Sequence, residues 1–368
     1  MKDNWTYKKL GEVSYYPNRR VAVSDLPEYS YVGVENLIKD KGGVSFSRTV
    51  PNIDSAIECL KNDILIGNIR PYLRKIWLAD RNVGASGDIV VIRINPDFAD
   101  KLNPNYLYAV LSSDSFFNYD NANTKGAKMP RGDRKVIANF VIPIPSLSEQ
   151  LHIVSELNLL QGLISKQQVQ LKELDNLAQA VFYDMFGDPM ENEKGWSVKK
   201  LNEICLELFA GGDVPKDCYS QEKTTDFQTP IISNGIGERA IYGYTNKARV
   251  FDESITISGR GTIGYCEVRT EPYFPVVRLI VGVPNKKMVL PTFLKYVIDA
   301  HHLNGVGVAI PQLTIPMVKD INIILPPLHI QQSFNDNIKS IEKLKTAISK
   351  SIMETQKLYD YTTDKYFG

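Results

Sequence analysis

The stretch that decides the fold is Trp5-Thr-Tyr-Lys-Lys-Leu-Gly-Glu-Val13, because it returns as Trp196-Ser-Val-Lys-Lys-Leu-Asn-Glu-Ile204, 191 residues later. Further along the chain, Gly126-Ala-Lys-Met-Pro130 corresponds to Gly307-Val-Ala-Ile-Pro311. From there the two copies align without a gap, 181 residues apart, until both end on Phe-Gly. Because these repeated strings occur in the same order in both halves, they indicate an internal duplication. The duplication predicts the architecture more strongly than any single motif.

Each copy has the same plan: a mixed region with short apolar runs, then a strand that ends in prolines, then a long helical pattern. The strands are Phe140-Val-Ile-Pro-Ile-Pro145 and Ile321-Asn-Ile-Ile-Leu-Pro-Pro327. Apolar residues then recur by threes and fours, which is an a/d heptad pattern interrupted at Lys345 and Thr355. Gly187 is expected to end the first helix. The predicted packing positions are Ile153, Leu157, Leu160, Ile164 and Leu171 in the first helix and Phe334, Ile338, Ile341, Ile348 and Ile352 in the second.

These patterns predict an α+β fold with two similar mixed α/β domains. Two long antiparallel coiled-coil helices, related by a pseudo-two-fold axis, are expected to separate the domains. The predicted boundaries are 1–145 for the first domain, 146–187 for the central helix, 188–326 for the second domain and 327–368 for the C-terminal helix. Periodicity alone does not name the partner of a helix, so the alternative is that each helix packs only against its own domain.

Composition limits the class of protein. A chain of 368 residues with 43% hydrophobic content is long enough for two cores. The formal net charge is +1, so any nucleic-acid surface must be local. Four cysteines occur singly, and no apolar run is long enough to cross a membrane. We therefore predict a cytoplasmic protein that has reduced thiols and no membrane association.

Three strings resemble catalytic motifs, but the sequence around each one does not support a catalytic role. Gly259-Arg-Gly-Thr-Ile-Gly264 has dinucleotide-binding spacing, yet no helical pattern follows it to hold a pyrophosphate. Glu207-Leu-Phe-Ala-Gly-Gly212 resembles a cytosine methyltransferase loop, but the chain has no Pro-Cys nucleophile. Asn103-Pro-Asn-Tyr106 approaches an amino-methyltransferase motif, but its counterpart Leu290-Pro-Thr-Phe293 lacks the polar first residue, which favours a packing role. We predict no catalytic residue and no metal site.

Positive charge is concentrated in glycine-containing loops of the mixed regions, where side chains that contact DNA bases and phosphates would be expected. Arginine, lysine, asparagine and tyrosine suit those contacts. The predicted DNA-binding residues are Asn68, Arg70, Tyr72, Arg74, Lys75, Lys125, Lys128, Arg131 and Arg134 in the first copy and Arg239, Lys247, Arg249 and Arg260 in the second. Tyr242 and Tyr244 accompany the second set.

Over nearly its whole length the chain resembles the specificity subunits of type I restriction-modification systems. The resemblance rests on the Trp-x-x-Lys-Lys-Leu openings and on the closing strings Pro145-Ser-Leu147 with Gln150 and Pro326-Pro-Leu328 with Gln331. Phe186-Gly-Asp-Pro189 is similar to the end of the family's central conserved helix. Asp213-Val-Pro215 is similar to its Gly-x-Thr-Pro string, with valine in place of threonine.

The resemblance implies two target-recognition domains, each of which binds one half of a bipartite double-stranded DNA site. It implies helices that set the gap between the half-sites and dock methyltransferase (modification) subunits, two in number. It further implies a non-catalytic chain without a cofactor of its own, with S-adenosylmethionine bound by the partner methyltransferase, and it leaves open whether restriction (nuclease/translocase) subunits join. The alternative is a coiled-coil scaffold or interaction protein that does not bind DNA.

Overall fold

The computed structural model describes residues 4–46, 48, 52–126, 128–305 and 311–368. Ala127 and residues 307–310, which belong to the Gly126–Pro130 anchor and its repeat, lie outside the described residues. The chain forms two compact units: unit 1 contains residues 1–168 and 350–368, and unit 2 contains residues 169–349. Each unit combines one copy of the mixed region with part of each long helix. Within the described ranges, no helix has both the length and the apolar character needed to cross a bilayer.

The mixed region of unit 1 is followed by the first long helix, α5. The strands and helices, in chain order, are β1 Thr6–Lys9, α1 Leu10–Val13, β2 Ser14–Tyr15, β3 Arg20–Ala22, β4 Tyr31–Val32, β5 Ser55–Cys59, β6 Ile64–Gly67, β7 Ile76–Leu78, β8 Val83–Ala85, β9 Ile89–Ile94, α2 Pro104–Leu111, α3 Asp114–Ala122, α4 Arg134–Ile137, β10 Val141–Ile144 and α5 Leu147–Phe186.

The mixed region of unit 2 leads into the second long helix, α9. Its elements are β11 Ser197–Lys200, α6 Leu201–Ile204, β12 Cys205–Ala210, β13 Thr229–Ile232, β14 Ile241–Thr245, β15 Ser254–Ile257, β16 Cys266–Arg269, β17 Phe274–Pro275, β18 Ile280–Pro284, α7 Pro291–Ala300, α8 Ile315–Val318, β19 Asn322–Leu325 and α9 Leu328–Phe367.

The main sheet repeats between the units, whereas the second sheet has four strands in unit 1 and three in unit 2. A four-stranded antiparallel sheet has the order β2-β9-β6-β7 in unit 1 and β12-β18-β15-β16 in unit 2. A second sheet contains one parallel pair in each unit, β4 with β8 and β13 with β17. A short antiparallel pair, β1 with β10 and β11 with β19, closes each mixed region. The predicted duplication and α+β fold are confirmed.

The repeated Lys-Lys-Leu-x-Glu string has a local structural role in both copies. Glu12 accepts a hydrogen bond from the Lys9 backbone N–H at 3.1 Å, and Glu203 accepts one from Lys200 at 2.7 Å. A carboxylate three residues after the N-cap satisfies a donor that the first turn of a helix leaves free. The string therefore turns the chain from β1 into α1 and from β11 into α6, with each leucine buried.

The closing glutamine of each copy joins the long helix to its domain by the same three hydrogen bonds. Gln150 Oε1 accepts from Asn103 N at 2.9 Å, and its Nε2 donates to the carbonyls of Lys101 and Pro145 at 2.8 and 2.9 Å. Both glutamines are fully buried. In unit 2, Gln331 makes the same contacts with Leu290 N at 2.9 Å, Met288 O at 3.1 Å and Pro326 O at 2.8 Å.

In unit 1, the beginning of α5 packs against the end of α9 in antiparallel orientation. The Tyr366 hydroxyl donates to Glu156 Oε2 at 2.9 Å, and Gln167 Nε2 donates to the Ser351 hydroxyl at 2.7 Å. Residue numbers thus rise along α5 as they fall along α9. The helix residues in the core of this unit are Ile153, Leu157 and Phe367. Ile164 is also buried, and Leu160 and Ile352 are half-buried.

In unit 2, the end of α5 packs against the beginning of α9, again antiparallel. Phe334 lies with its ring centroid 5.7 Å from that of Phe182 and 5.3 Å from that of Phe186. Lys345, which interrupts the heptad pattern, pairs with Asp175 at 2.8 Å. Ile338 and Ile341 are buried here, and Leu171 and Ile348 are half-buried. Because both helices cover the domain in each unit, the alternative of a helix packed only on its own domain is wrong.

Candidate nucleic-acid interface

The two basic clusters of the first copy form one surface. Arg70 N donates to the carbonyl of Pro130 at 2.7 Å, and Gly132 N donates to the carbonyl of Asn68 at 3.1 Å. An antiparallel bridge between residues 69 and 131 completes the junction. The loop between β6 and β7 is therefore joined to the loop that leads into α4, although the two are distant in sequence. We call this pair of loops, residues 67–75 and 125–135, the first basic surface.

The backbone of the β6–β7 loop holds its arginines in an unusual conformation. Arg70 has φ 52° and Arg74 has φ 50°, on either side of the 3-10 turn Pro71–Leu73. A left-handed backbone conformation is uncommon for residues other than glycine and is found more often at functional sites than elsewhere. Tyr72, at the tip of the turn, is 53% exposed. The loop thus directs an aromatic ring to solvent between two arginines.

Several cations of the first basic surface already have partners within unit 1. Arg74 pairs with Asp114 at 2.7 Å, Arg131 pairs with Asp88 at 3.2 Å, and Lys125 pairs with Asp133. Arg134 donates to the carbonyls of residues 87 and 89, and Lys75 donates to that of residue 34. Within the described ranges, the side chains of Arg70, Tyr72 and Lys128 have no such partner, and all three are exposed.

A buried carboxyl group lies beneath the first basic surface. Asp120 of α3 is 1% exposed, and neither of its carboxylate oxygens has a hydrogen-bond partner among the described residues. Asn68 Oδ1 is buried without a partner too, and a Cβ on Gly132 would lie 2.8 Å from both groups. Burial raises the pKa of Asp120 to about 6. Folding therefore disfavours the charged form of this carboxyl group.

Asp120→Asn is expected to stabilise unit 1 at neutral pH by roughly 1–3 kcal/mol. The folded pKa of about 6 lies above the ordinary 3.8, so ionisation weakens the folded state as the pH rises through this interval. The amide of asparagine has no charge to bury. Urea denaturation across the interval should show falling stability for the native chain and a flatter profile for the variant. The exposed Asp100→Asn is the control, and equal pH slopes in the native chain and Asp120→Asn would contradict the assignment.

The second copy repeats the junction of loops. Leu313 N donates to the carbonyl of Gly259 at 2.9 Å, which matches the contact between Gly132 and Asn68. The Gly259–Gly264 string connects β15 to β16, so a strand and not a helix follows it. Arg260 from this string donates to Gln312 Oε1 at 2.9 Å. The glycine-rich string is the structural counterpart of the β6–β7 loop.

The other predicted residues of the second copy belong to different segments of unit 2. Arg249 stacks on the ring of Phe209 with its guanidinium carbon 4.1 Å from the ring centroid. Arg239 lies in the 3-10 turn Gly237–Ala240 and, like Lys247 after β14, is exposed. No contact found within the described residues of unit 2 joins these two side chains to Arg260.

Sequence reasoning missed Arg278. It lies between β17 and β18 with φ 59°, directly after Val277 with φ 53°. No glycine or asparagine marks this left-handed pair, so no sequence signal of the usual kind was present. Arg278 and Arg260 line the same cavity in unit 2, which has a volume of about 620 Å³.

Burial disfavours the reactive thiolate form of three of the four cysteines. Burial raises the pKa of Cys205 to about 12 and also raises the pKa values of Cys59 and Cys266. These thiols stay protonated, and the cysteines are free. Among the described residues, no group of three His, Cys, Asp or Glu side chains is arranged to hold a metal ion.

Solved structures share this fold. One comes from a study of complex assembly and conformational transition of the type I R-M system. It superposes with a TM-score of 0.65 at 22% identity, covering 100% of this chain and 98% of that chain. The S subunit of a type I restriction-modification system from M. genitalium gives 0.59 at 15% identity, covering 99% and 96%. The likeness defines the class of fold: two mixed domains in one chain with two long helices.

The family model described as "Type I restriction modification DNA specificity domain" matches residues 2–174 and 193–355, one match for each repeat. The chain belongs to this family. A type I specificity subunit from Mycoplasma pneumoniae is 30% identical over 205 residues, which is 55% of each protein. A type I restriction enzyme specificity subunit from Methanocaldococcus jannaschii is 22% identical over 93% of this chain and 87% of its own. The chain spans about half the length of the M. pneumoniae relatives.

Proposed function

We propose that this chain is the DNA specificity subunit of a type I restriction-modification enzyme, and that it acts by binding and not by catalysis. The observation that carries the proposal is the pair of equivalent loop junctions, one in each unit, on a fold shared with this family. Each junction holds arginine beside polar groups, the combination that contacts phosphates and base edges. Each domain would bind one half of a bipartite site.

In the first domain, the side chains proposed to contact DNA directly are those without internal partners. Arg70 and Lys128 would neutralise phosphates, and Tyr72 has a polar hydroxyl and an aromatic face for the same backbone. Arg74, Arg131 and Lys125 pair with acidic neighbours, so their role would be to shape the loops, while the unpaired Arg70 and Lys128 supply the local positive charge. Local charge of this kind compensates for a net charge close to zero.

The methyltransferase subunit is proposed to dock on the exposed face of α5. Leu151, Leu159 and Leu163 are 53%, 67% and 50% exposed, and they border a shallow groove of about 480 Å³. Contiguous exposed apolar side chains on a helix are typical of a protein interface. At the positions 181 residues later the chain has Gln332, Ser340 and Leu344, so a second docking surface on α9 would be more polar.

The test of DNA binding is its dependence on salt. Each phosphate contact contributes about 0.9 to the slope of log affinity against log salt concentration, so Arg70→Ala with Lys128→Ala should reduce that slope by about 2. Affinity for a DNA duplex should fall together with the slope. The double variant Lys172→Ala with Lys339→Ala removes the same charge from exposed positions of the long helices and should leave both quantities unchanged.

The rival function is a coiled-coil scaffold that does not bind DNA. It predicts no salt-sensitive affinity for DNA in the native chain. If the loop variant and the helix variant have equal salt slopes, the first basic surface does not contact DNA phosphates.

A further inference from the structure

A cavity in unit 2 is lined by four segments of the chain and includes two arginines. Its walls include the turn Gly211–Val214 after β12, the left-handed pair Val277 and Arg278, and residues 312–316 before β19, with Arg260 from the β15–β16 loop. Asp213 of the first loop also lines it. The residues that line the cavity therefore include two arginines and one aspartate, and none of the three belongs to the apolar core.

Arg260 is held in place but not fully satisfied. Its terminal nitrogen donates to Gln312 Oε1 at 2.9 Å, and its backbone N–H donates to Asn234 Oδ1 at 3.3 Å. Its Nε is buried and has no acceptor among the described residues. A buried charged donor without an acceptor is unfavourable, so such a group is expected where an acceptor arrives with a ligand.

Arg278 is positioned by a strained backbone. Val277 has φ 53°, which is an outlier for a β-branched residue, and the strain is held by hydrogen bonds from Val277 N to Gly212 O and from Arg278 N to Gly211 O, at 2.9 and 3.0 Å. A Cβ on Gly211 would lie 2.7 Å from the backbone of residues 275 and 276, so only glycine fits there. The result is an exposed Arg278 side chain without a partner among the described residues.

We propose that this cavity binds one G·C base pair of the second half-site through its major-groove edge. Arg278 and Arg260 would donate to O6 and N7 of guanine, and Asp213 would accept from the N4 amino group of cytosine. The carboxylate favours a base pair over a phosphate, because the G·C edge presents a donor beside its two acceptors, whereas a phosphate presents acceptors only. The assignment rests on the proposed DNA-binding function and adds the base pair and the residues that determine it.

The experiment is selection from a pool of randomised double-stranded DNA by the full native chain, followed by binding to duplexes with single base-pair changes. Arg278→Ala and Asp213→Asn are tested because both side chains are exposed, and Arg260→Ala is added. Lys287→Ala, exposed and outside the cavity, is the control. Arg278→Ala should bind the selected duplex about tenfold more weakly and lose preference at one G·C position only, with an unchanged salt slope. Asp213→Asn should relax the same position.

Three results would overturn the assignment. Uniform weakening across all duplexes with a reduced salt slope would identify a phosphate contact. If Arg278→Ala and Asp213→Asn select the same DNA sequence as the native chain, the cavity does not recognise a base pair. The proposed function would still stand. Failure of the native chain to select any sequence would contradict the proposed function and the site together.

Discussion

Gln331→Ala is expected to lower the free energy of unfolding of unit 2 by about 3–5 kcal/mol. The side chain is fully buried and makes three hydrogen bonds, to Leu290 N, Met288 O and Pro326 O. Alanine would remove the partner of the buried Pro326 carbonyl and the partners of the part-buried Leu290 N–H and Met288 carbonyl, and each unsatisfied buried group costs about 1–3 kcal/mol. Gln150→Ala should have the same effect on unit 1, because its contacts are equivalent.

The measurement is urea denaturation of the full chain followed by tryptophan fluorescence. Trp196 lies in unit 2, whereas Trp5 and Trp77 lie in unit 1, so Trp→Phe variants separate the two transitions. Gln332→Ala is the matched control, since this neighbouring glutamine is exposed and bonds only within its own helix. If Gln331→Ala and Gln332→Ala differ by less than about 0.5 kcal/mol, the closing glutamine does not anchor the helix.

Exchange of residues 1–145 for the matching segment of another family member is expected to change one half of the recognised sequence completely and to leave the other half unaltered. The segment contains the first basic surface and ends between β10 and α5. The new domain must still cover Ile153, Leu157 and Phe367, which contribute to the core of unit 1. A donor with similar residues at the positions that contact these three should therefore fold.

The recognised sequences of the exchanged and native chains are compared by mapping the bases that each complex methylates. The reciprocal exchange of residues 188–326 should alter only the other half, which controls for damage to the helices. If either single exchange changes both halves, recognition is not divided between the domains.

The architecture could be predicted because it is repeated. The duplicated strings, the prolines after the closing strands and the heptad spacing locate the long helices, and Gly187 does end α5 with φ 74°. Lys345 was predicted as an interruption of the helix seam; the structure adds its ion pair with Asp175. Local periodicity and capping residues are properties of the sequence itself, and for that reason these features could be predicted.

The arrangement of the candidate site could not be predicted from the sequence. The loops joined by the Gly132–Asn68 hydrogen bond are distant in sequence, and a backbone contact leaves no pattern in side-chain types. The position of Arg278 depends on the left-handed backbone of Val277, a conformation that β-branched residues rarely adopt and that the sequence therefore does not predict. The burial of Asp120 has no signal in the sequence, because an aspartate in a short helix is usually exposed. Tertiary contacts, and not local preference, create these features.

The most direct test of the central claim is to co-express and purify the chain with a type I methyltransferase subunit from the same organism and to map methylated bases after incubation with DNA and S-adenosylmethionine. A specificity subunit with two target-recognition domains predicts a stable complex that methylates a two-part sequence with a fixed gap. A chain that binds no methyltransferase, or a complex that methylates one uninterrupted sequence or none, would contradict it.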